Sequence, residues 1–320
     1  MKIKIAVILL LSLTSASAAA QTYPTKPIRL VVPFPAGESI DATARATGQL
    51  WGANLGQQII VDNRGGAGGT IGSDIVAKSP ADGYTVLWGN VGPLAIAQSL
   101  YTKLPYNIAR NFAPVSQVAG LPFVMFTSAA IPPNTVQEFI AYGKSRPNAL
   151  NFGSTGVGSG IHLITEMFKM QTGVAMEHVP YKGVAQAMPE IVAGRIQVAF
   201  NTIPAFLPHV KAGRLKALVI TTPKRSSLLP QVPSAPEAGV PQLIGSSWHG
   251  VVAPAGTPPA AIAKLHQTLV AAIAVPDVRD LLVSQGAEPV GSSPDEFGRF
   301  LRAELEKWAP IVKASGAKVD

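Results

Sequence analysis

Apolar runs that suit buried strands alternate with amphipathic helical patterns along most of the chain. Short apolar runs predict strands at residues 28–33, 59–62, 85–88, 123–126, 149–152, 176–179, 196–200 and 217–220. Apolar residues recur at helical spacing at residues 40–51, 71–78, 135–145, 161–170, 183–192 and 204–212. Because strands that alternate with helices form βαβ units, the pattern predicts an α/β protein with a largely parallel sheet.

The last third of the chain differs, because helical patterns follow one another there. A strand pattern at residues 247–253 precedes helical patterns at residues 258–273, 277–285 and 294–314. Ser293, Pro294 and Glu296 have the spacing of a capping box, with proline at the first helical position. We therefore expect the third of these helices to begin at Pro294.

A glycine-rich turn joins a predicted strand to a predicted helix at residues 151–162, N-F-G-S-T-G-V-G-S-G-I-H. The first N–H groups of a helix have no internal partner and lie at the positive end of the helix dipole. The turn therefore predicts a binding site for an anion such as a carboxylate or a phosphate. A similar strand–turn–helix pattern at residues 28–50 predicts a second one, so we expect a ligand held between two domains.

Catalytic and nucleotide-binding patterns fail on spacing. The G-x-G-x-x-G fingerprint would need a third glycine where Ile161 or Leu163 stands, and no Walker lysine follows a glycine turn. No G-x-S-x-G elbow surrounds Ser154 or Ser159. The five histidines lack metal-ligand spacing, and no carboxylate pair suits acid–base chemistry. We therefore expect a binding protein and not an enzyme, with no metal and no cofactor.

Hydroxyl and glycine N–H groups are the expected ligand donors of this turn. They belong to Ser154, Thr155, Gly156, Gly158 and Ser159. His162 follows three residues after Ser159 and is expected to contact the ligand or to serve the fold. An exported hydrolase that uses Ser159 and His162 is the alternative from a different class.

Residues 1–20 have the pattern of a secretory signal peptide. Lys2 and Lys4 precede an apolar run too short to span a bilayer, and small residues suit cleavage after Ala20. The sequence has no cysteine, which excludes disulfides, thiol chemistry and a lipid anchor on cysteine. We expect an exported, periplasmic and monomeric protein.

The basic charge balance does not indicate a nucleic-acid partner. The formal net charge is +8, but only 14% of residues are charged and the basic ones are scattered. The positive charge is better suited to attracting small anions.

Several motifs follow one another in a fixed order along the mature chain. They are Y-P-x-K-P-I-R-L-V-V-P-F from Tyr23, V-D-N-R from Val61, G-A-G-G from Gly66, D-G-Y-T from Asp82, G-S-T-G from Gly153 and V-P-Y-K-G from Val179. In these motifs the chain resembles the Bug-type periplasmic solute-binding proteins of tripartite tricarboxylate transporters.

The resemblance implies a two-domain α/β periplasmic-binding-protein fold (Venus flytrap, type II) with two chain crossovers. Domain 1 is expected to comprise residues 21–122 and 249–320, and domain 2 residues 123–248. The implied ligand is a small carboxylate in the interdomain cleft: a di- or tricarboxylate, an aromatic acid or an acidic amino acid. Closure over the ligand would present the protein to membrane permease subunits, or, in the alternative, to a membrane receptor that senses the ligand.

Further ligand contacts are predicted from position in the implied cleft. They are Phe34, Ala36 and Gly37 in the first turn, Asn90 and Asn201 at strand ends, Tyr181 after a strand, and Trp248, which is expected to stack on an aromatic acid. Asp41 and Arg45 on the first helix are expected to be structural.

Glu38 departs from the resemblance, because the family usually has glycine at this position of the first turn. Either Glu38 faces solvent at the start of the helix, where an acid is favourable, or it faces the cleft. In the cleft it would repel a second carboxylate or pair with an N–H group of the ligand. The hypothesis is that the ligand is not a simple tricarboxylate.

Overall fold

Two β-sheets form the framework of the molecule, which is described by a computed structural model for residues 23–147 and 149–319. The predicted signal peptide and its cleavage site lie outside these residues. The first sheet has the order β11-β4-β10-β3-β1-β2 and the second the order β7-β6-β8-β5-β9. The strands of the first sheet are β1 (Ile28–Val32), β2 (Ile59–Asn63), β3 (Thr85–Asn90), β4 (Phe112–Pro122), β10 (Ser246–Pro254) and β11 (Glu288–Pro289). Those of the second are β5 (Val124–Ser128), β6 (Asn151–Ser154), β7 (Glu177–Pro180), β8 (Val198–Asn201) and β9 (Leu215–Ile220).

Both sheets are mixed, so the prediction of a largely parallel sheet is wrong. In the first sheet β1 pairs in parallel with β2 and β3, but β10 is antiparallel to both β3 and β4. In the second sheet β6 pairs in parallel with β7 and β8, whereas β5 is antiparallel to β8 and β9. The antiparallel strands lie where the chain passes from one sheet to the other.

The chain makes this passage twice. It leaves the first sheet at Pro122, the end of β4, and enters the second at Val124. After β9 it returns at Ser246, which pairs with Pro122. The two passages therefore lie side by side, as expected for two layers that move about a shared hinge. The domain limits expected at residues 122 and 248 remain a prediction.

Helices cover the sheets and agree closely with the amphipathic patterns. They are α1 (Ser39–Leu55), α2 (Thr70–Ala77), α3 (Ala97–Leu100), α4 (Ile108–Asn111), α5 (Val136–Lys144), α6 (Gly160–Thr172), α7 (Val184–Val192), α8 (Ile203–Lys211), α9 (Pro259–Ala274), α10 (Pro276–Ser284) and α11 (Pro294–Ser315). The capping box of α11 is present: Ser293 accepts from the Glu296 N–H and Glu296 accepts from Ser293. A π-helical turn, Gly92–Ile96, leads into α3.

A shared apolar core joins the two layers. One cluster of buried residues contains Val31 and Leu87 from the first sheet and Phe152 and Val198 from the second.

Within the described part of the chain no single helix is long and apolar enough to cross a membrane. The helices α9 and α10 pass that test only when they are taken together, as a pair bent by 77°.

Trp248 belongs to this core, which corrects the expectation that it stacks on a ligand. Its side chain is fully buried, and its indole N–H donates to Glu304 Oε2 at 2.9 Å. Trp308 donates to the same carboxylate oxygen, and Lys307 pairs with Glu304 Oε1. The indole face of Trp248 packs edge-on against Phe297 and Phe300, so no face is left for a ligand.

Candidate functional site

A cavity of about 490 Å³ lies between the two sheets. Its wall contains residues at or just beyond the carboxyl ends of strands in both sheets: Phe34 after β1, Asn90 at the end of β3, Thr155 after β6 and Asn201 at the end of β8. Carboxyl ends of strands are where open α/β sheets bind ligands. The cavity is therefore the candidate binding site.

The glycine turn between β6 and α6 supplies backbone donors to this cavity. Ser159 caps α6, and its hydroxyl oxygen accepts from the His162 N–H at 3.2 Å. The N–H groups of Thr155, Val157, Gly160 and Ile161 have no hydrogen-bond partner among residues 23–147 and 149–319, and all four residues line the cavity. An anion placed there would complete these bonds and meet the positive end of the helix dipole.

Asn90 and Asn201 add one amide donor from each sheet. The Asn90 Oδ1 accepts from the Gly92 N–H at 3.1 Å, and the Asn201 Oδ1 accepts from the Thr202 N–H at 2.8 Å. These bonds fix both side chains with the carbonyl oxygen toward the backbone. Neither Nδ2 group has a partner within the described residues, so both amide donors are free for a ligand.

The wall of the cavity carries no acidic side chain and no lysine, arginine or histidine among the described residues. Its other members are mostly apolar and come chiefly from the π-helical turn, α3 and the passage between the sheets: Val91, Ile96, Ala97, Leu100, Phe123, Val157, Ile161 and Val319. The charge of an anion would thus be met by neutral N–H and O–H donors, and the rest of the ligand by an apolar surface.

His162 and Ser154 lie behind the turn and do not line the cavity. The His162 ring is buried, and its Nδ1 accepts from the Gly158 N–H at 3.0 Å. The Ser154 hydroxyl is 2.6 Å from His178 Nε2 and accepts from the Gly156 N–H at 3.1 Å. Burial is the main cause that lowers the pKa of His162 to about 4, followed by the charges of His178 and Lys169.

This arrangement does not favour the hydrolase alternative. The Ser159 hydroxyl oxygen is bonded to the backbone N–H of His162, while the ring Nδ1 of His162 is bonded to Gly158. A general base must reach the nucleophile with a ring nitrogen. The serine in contact with a histidine ring is instead Ser154, whose side chain is 3% exposed and lies outside the cavity.

The first turn differs from the second, because its own helix supplies the anion. The Gly37 N–H donates to Asp41 Oδ2 at 2.9 Å, and Asp41 also accepts from Arg45 and Asn63. Asp41 and Arg45 thus have the structural role that the sequence predicts. Of the predicted first-turn contacts, Phe34 lines the cavity, whereas Ala36 and Gly37 are exposed and do not.

Glu38 occupies the N-cap position of α1 but makes no capping hydrogen bond with its side chain. It is exposed and does not line the cavity, and partial desolvation raises its pKa. Tyr181 also lies outside the cavity wall, with its ring beside Gly153. Ligand contact by Glu38 and Tyr181 remains a prediction.

Sequence reasoning missed the wall formed by the π-helical turn and α3. Pro93 is the second residue of G-P-L-A-I and obscures a helical pattern there. Asn90, which was predicted from position, is the residue that marks the start of this wall. The structure brings together Phe34, Asn90, Thr155, Gly158, Ser159 and Asn201.

Comparison with known proteins supplies the family. The profile described as "Tripartite tricarboxylate transporter family receptor" matches residues 44–317. This chain belongs to that receptor family. The receptor is 39% identical over 306 residues to Protein BugT of Bordetella pertussis, which covers 95% of this chain and 94% of BugT.

Solved structures, among them that of the periplasmic binding protein BugD, agree with this assignment and identify the fold as that of periplasmic binding proteins. The R. palustris protein Rpa4515, solved with adipate, is 36% identical with a TM-score of 0.79, over 93% of this receptor and 100% of that chain. MatC from Rhodopseudomonas palustris, solved with bound malate, is 31% identical with a TM-score of 0.76, over 91% of this receptor and 100% of MatC. The receptor is therefore a solute-binding protein of the Bug type with the two-domain fold that the sequence predicts.

Proposed function

We propose that the receptor captures a small carboxylate in the cavity between its sheets and delivers it to a tripartite tricarboxylate-type transporter. The observation that carries the proposal is a set of four N–H groups without partners among the described residues, on Thr155, Val157, Gly160 and Ile161, which all line a cavity without charged side chains. Carboxylates in two similar proteins, adipate and malate, support the ligand class.

The energies of hydrogen bonding and of association indicate that the carboxylate group alone is not enough for tight binding. Hydrogen bonds to a charged group contribute roughly 1.5–3 kcal/mol each. Association costs about 4–15 kcal/mol, which consumes most of the gain from four such bonds. The apolar wall around Phe34, Leu100 and Phe123 must therefore contribute through burial of an apolar part of the ligand. This favours a compact acid with a hydrocarbon body over a highly charged tricarboxylate.

Ligand binding would stabilise the closed arrangement because donors come from both sheets. Asn90 belongs to the first sheet, whereas Asn201 and the glycine turn belong to the second. A ligand shifts a conformational equilibrium only if it binds one state more tightly, and a bridging ligand does so. The closed, monomeric receptor is then the form that the permease subunits recognise.

A thermal-shift screen of the purified mature receptor tests the proposal. The panel contains adipate, malate, citrate, benzoate and glutamate, with the uncharged adipamide as the control for adipate. A ligand at a hundred times its Kd adds about 2.7 kcal/mol to the free energy of unfolding, which raises Tm by several degrees. A rise with one or more acids and none with adipamide is expected, and no shift with any acid contradicts the proposal.

A further inference from the structure

A stacked pair of histidines lies directly behind the glycine turn. The His162 and His178 rings are 4.0 Å apart and nearly parallel, with an angle of 8° between them. His178 stacks in turn on Phe152, at 4.8 Å, so a column of three rings stands under the turn. None of the three residues lines the cavity.

Each ring of the pair is hydrogen-bonded to a different end of the turn. At one end, His178 Nε2 lies 2.6 Å from the Ser154 hydroxyl, which accepts from the Gly156 N–H. At the other end, His162 Nδ1 accepts directly from the Gly158 N–H. Gly156 and Gly158 have φ of 125° and 74°, conformations that glycine adopts readily and other residues rarely. Because glycine restricts the backbone so little, the shape of the turn depends on these hydrogen bonds.

We propose that His162 and His178 are positioning residues of the ligand site, which hold the turn so that its free N–H groups face the cavity. This inference rests on the proposed function and deepens it. The pair acts only when His162 is neutral at Nδ1, since a protonated Nδ1 would place a second donor against the Gly158 N–H. Protonation of His162 would therefore release that end of the turn.

The surroundings of the pair favour the neutral form. Burial is the main cause that lowers the pKa of both rings, and the charge of Lys169 adds to it in each. The ionisable groups near the pair come from α6, β7 and the C-terminal tail: Glu166 and Lys169, Glu177, and Lys318. Glu166 Oε1 lies 3.7 Å from His162 Nε2, which suits a ring whose proton is on Nε2.

Substitutions of His162 separate the hydrogen bond from the packing. In His162→Asn the side-chain Oδ1 can take the place of Nδ1 as the acceptor but cannot be protonated. In His162→Leu the volume remains and the acceptor is lost. His266→Asn, on α9 and outside the cavity, is the matched control.

Hydrogen–deuterium exchange of the ligand-free receptor reads the turn without any ligand. We expect faster exchange in a peptide spanning residues 154–161 for His162→Leu, and wild-type exchange for His162→Asn and His266→Asn. Equal exchange in His162→Leu and wild type overturns the proposal. Because no ligand is present, this result is independent of whether the receptor binds carboxylates.

Adipate affinity, measured by calorimetry at pH 7.5, provides the second readout. His162→Leu should weaken binding by about tenfold, the factor for one lost hydrogen bond, while His162→Asn stays within about threefold of wild type. His178→Gln, which can keep a polar atom near Ser154, should bind adipate more tightly than His178→Leu does. Equal affinity of the Leu and polar variants at both positions contradicts a positioning role.

The pH profile distinguishes positioning from a general structural role. The ratio of the wild-type Kd to the His162→Asn Kd cancels protonation of adipate itself. We expect this ratio to be flat from pH 7.5 to 5.5 and to rise by about twofold at pH 4, where half of His162 is protonated. A ratio that falls at acidic pH would mean that the charged ring attracts the ligand, and it would overturn the proposal.

Discussion

The two glycine turns of the receptor share a strand–turn–helix pattern but differ in whether their N–H groups already have partners. Both follow a parallel strand and precede a helix, at Ser39 in α1 and at Gly160 in α6. In the first turn the Gly37 N–H already donates to the carboxylate of Asp41. In the second, no acid lies in the first turn of α6, and four N–H groups remain free. The comparison teaches that only the second turn has backbone donors left for an external anion.

The largest effect is expected from alanine in the second turn. Gly158 has a φ of 74°, and a Cβ there would overlap the Leu100 side chain. Strain costs roughly 1–2 kcal/mol and overpacking roughly 1–3 kcal/mol more. Gly158→Ala should therefore lower the free energy of unfolding by about 2–5 kcal/mol and weaken carboxylate binding at least tenfold, measured by urea denaturation and calorimetry.

Gly37→Ala is the matched control for this change. Gly37 has a φ of 89°, but a Cβ there would meet no atom within 4 Å. Gly37→Ala should lower the free energy of unfolding by only about 1–2 kcal/mol and keep the carboxylate affinity within about twofold of wild type. A Gly37→Ala variant that loses binding as severely as Gly158→Ala would contradict the difference between the turns.

An effect on binding without the stability cost of Gly158→Ala is expected from Asn201→Asp, which changes charge without changing shape. Aspartate can still accept the Thr202 N–H, but it replaces the free amide donor with a negative oxygen in an uncharged cavity. Repulsion and the lost donor should weaken binding about 10- to 100-fold. Asn54→Asp, outside the cavity, adds the same charge and should change the Kd by less than about threefold. An equal loss of affinity in both variants would mean that the effect comes from net charge alone.

Local patterns predicted the elements of this fold well because each is set by short-range periodicity. The capping box at Ser293 and the glycine turn before α6 are examples, since their signals lie within a few residues. The strand β4 was missed because Pro114 and Gly120 interrupt its apolar pattern. Pro114 is tolerated there because it sits at a register shift opposite Val252.

The site was only partly predictable, because contacts between distant segments decide it. The sequence does not reveal that the Asp41 carboxylate accepts from the N–H of the first turn, although Asp41 is only four residues from Gly37. Nor does it reveal that Trp248 is held in the core by Glu304, which is 56 residues away. Asn90 and Asn201 were predictable, because the carboxyl ends of strands are set by topology.

Asp41→Ala sharpens the comparison by removing the carboxylate that accepts from the N–H of the first turn. The variant loses the bonds from Gly37, Arg45 and Asn63 to a buried carboxylate, which should cost about 1–3 kcal/mol in the free energy of unfolding at pH 7. Affinity should stay within about twofold, because Gly37 and Asp41 do not line the cavity. Arg45→Ala, whose side chain is half exposed, should cost less than about 1 kcal/mol.

The pH dependence of that cost follows from the state of Asp41. Burial raises its pKa, but the hydrogen bonds from Arg45, Gly37 and Asn63 outweigh burial, so the pKa lies below its usual range. Its contribution is thus complete above about pH 4, the pKa of an unfolded aspartate, and is lost as the pH falls through the folded value. A stability difference between wild type and Asp41→Ala that grows on acidification would contradict this assignment.

The smallest effect is expected from Glu38→Gly, which gives the first turn the glycine that the sequence resemblance implies at this position. Glu38 is exposed and makes no capping bond, so its removal should change stability by less than about 0.5 kcal/mol. If its charge acts on the cleft, the variant should bind citrate more tightly by about two- to fivefold and adipate by less, because repulsion grows with ligand charge. The gain should shrink in high salt, since exposed charges are screened. Glu38→Gln, which removes the charge and keeps the side chain, should reproduce the gain. An unchanged ratio of citrate to adipate affinity in both variants would remove Glu38 from the determinants of ligand choice and leave selectivity to the second turn and its apolar wall.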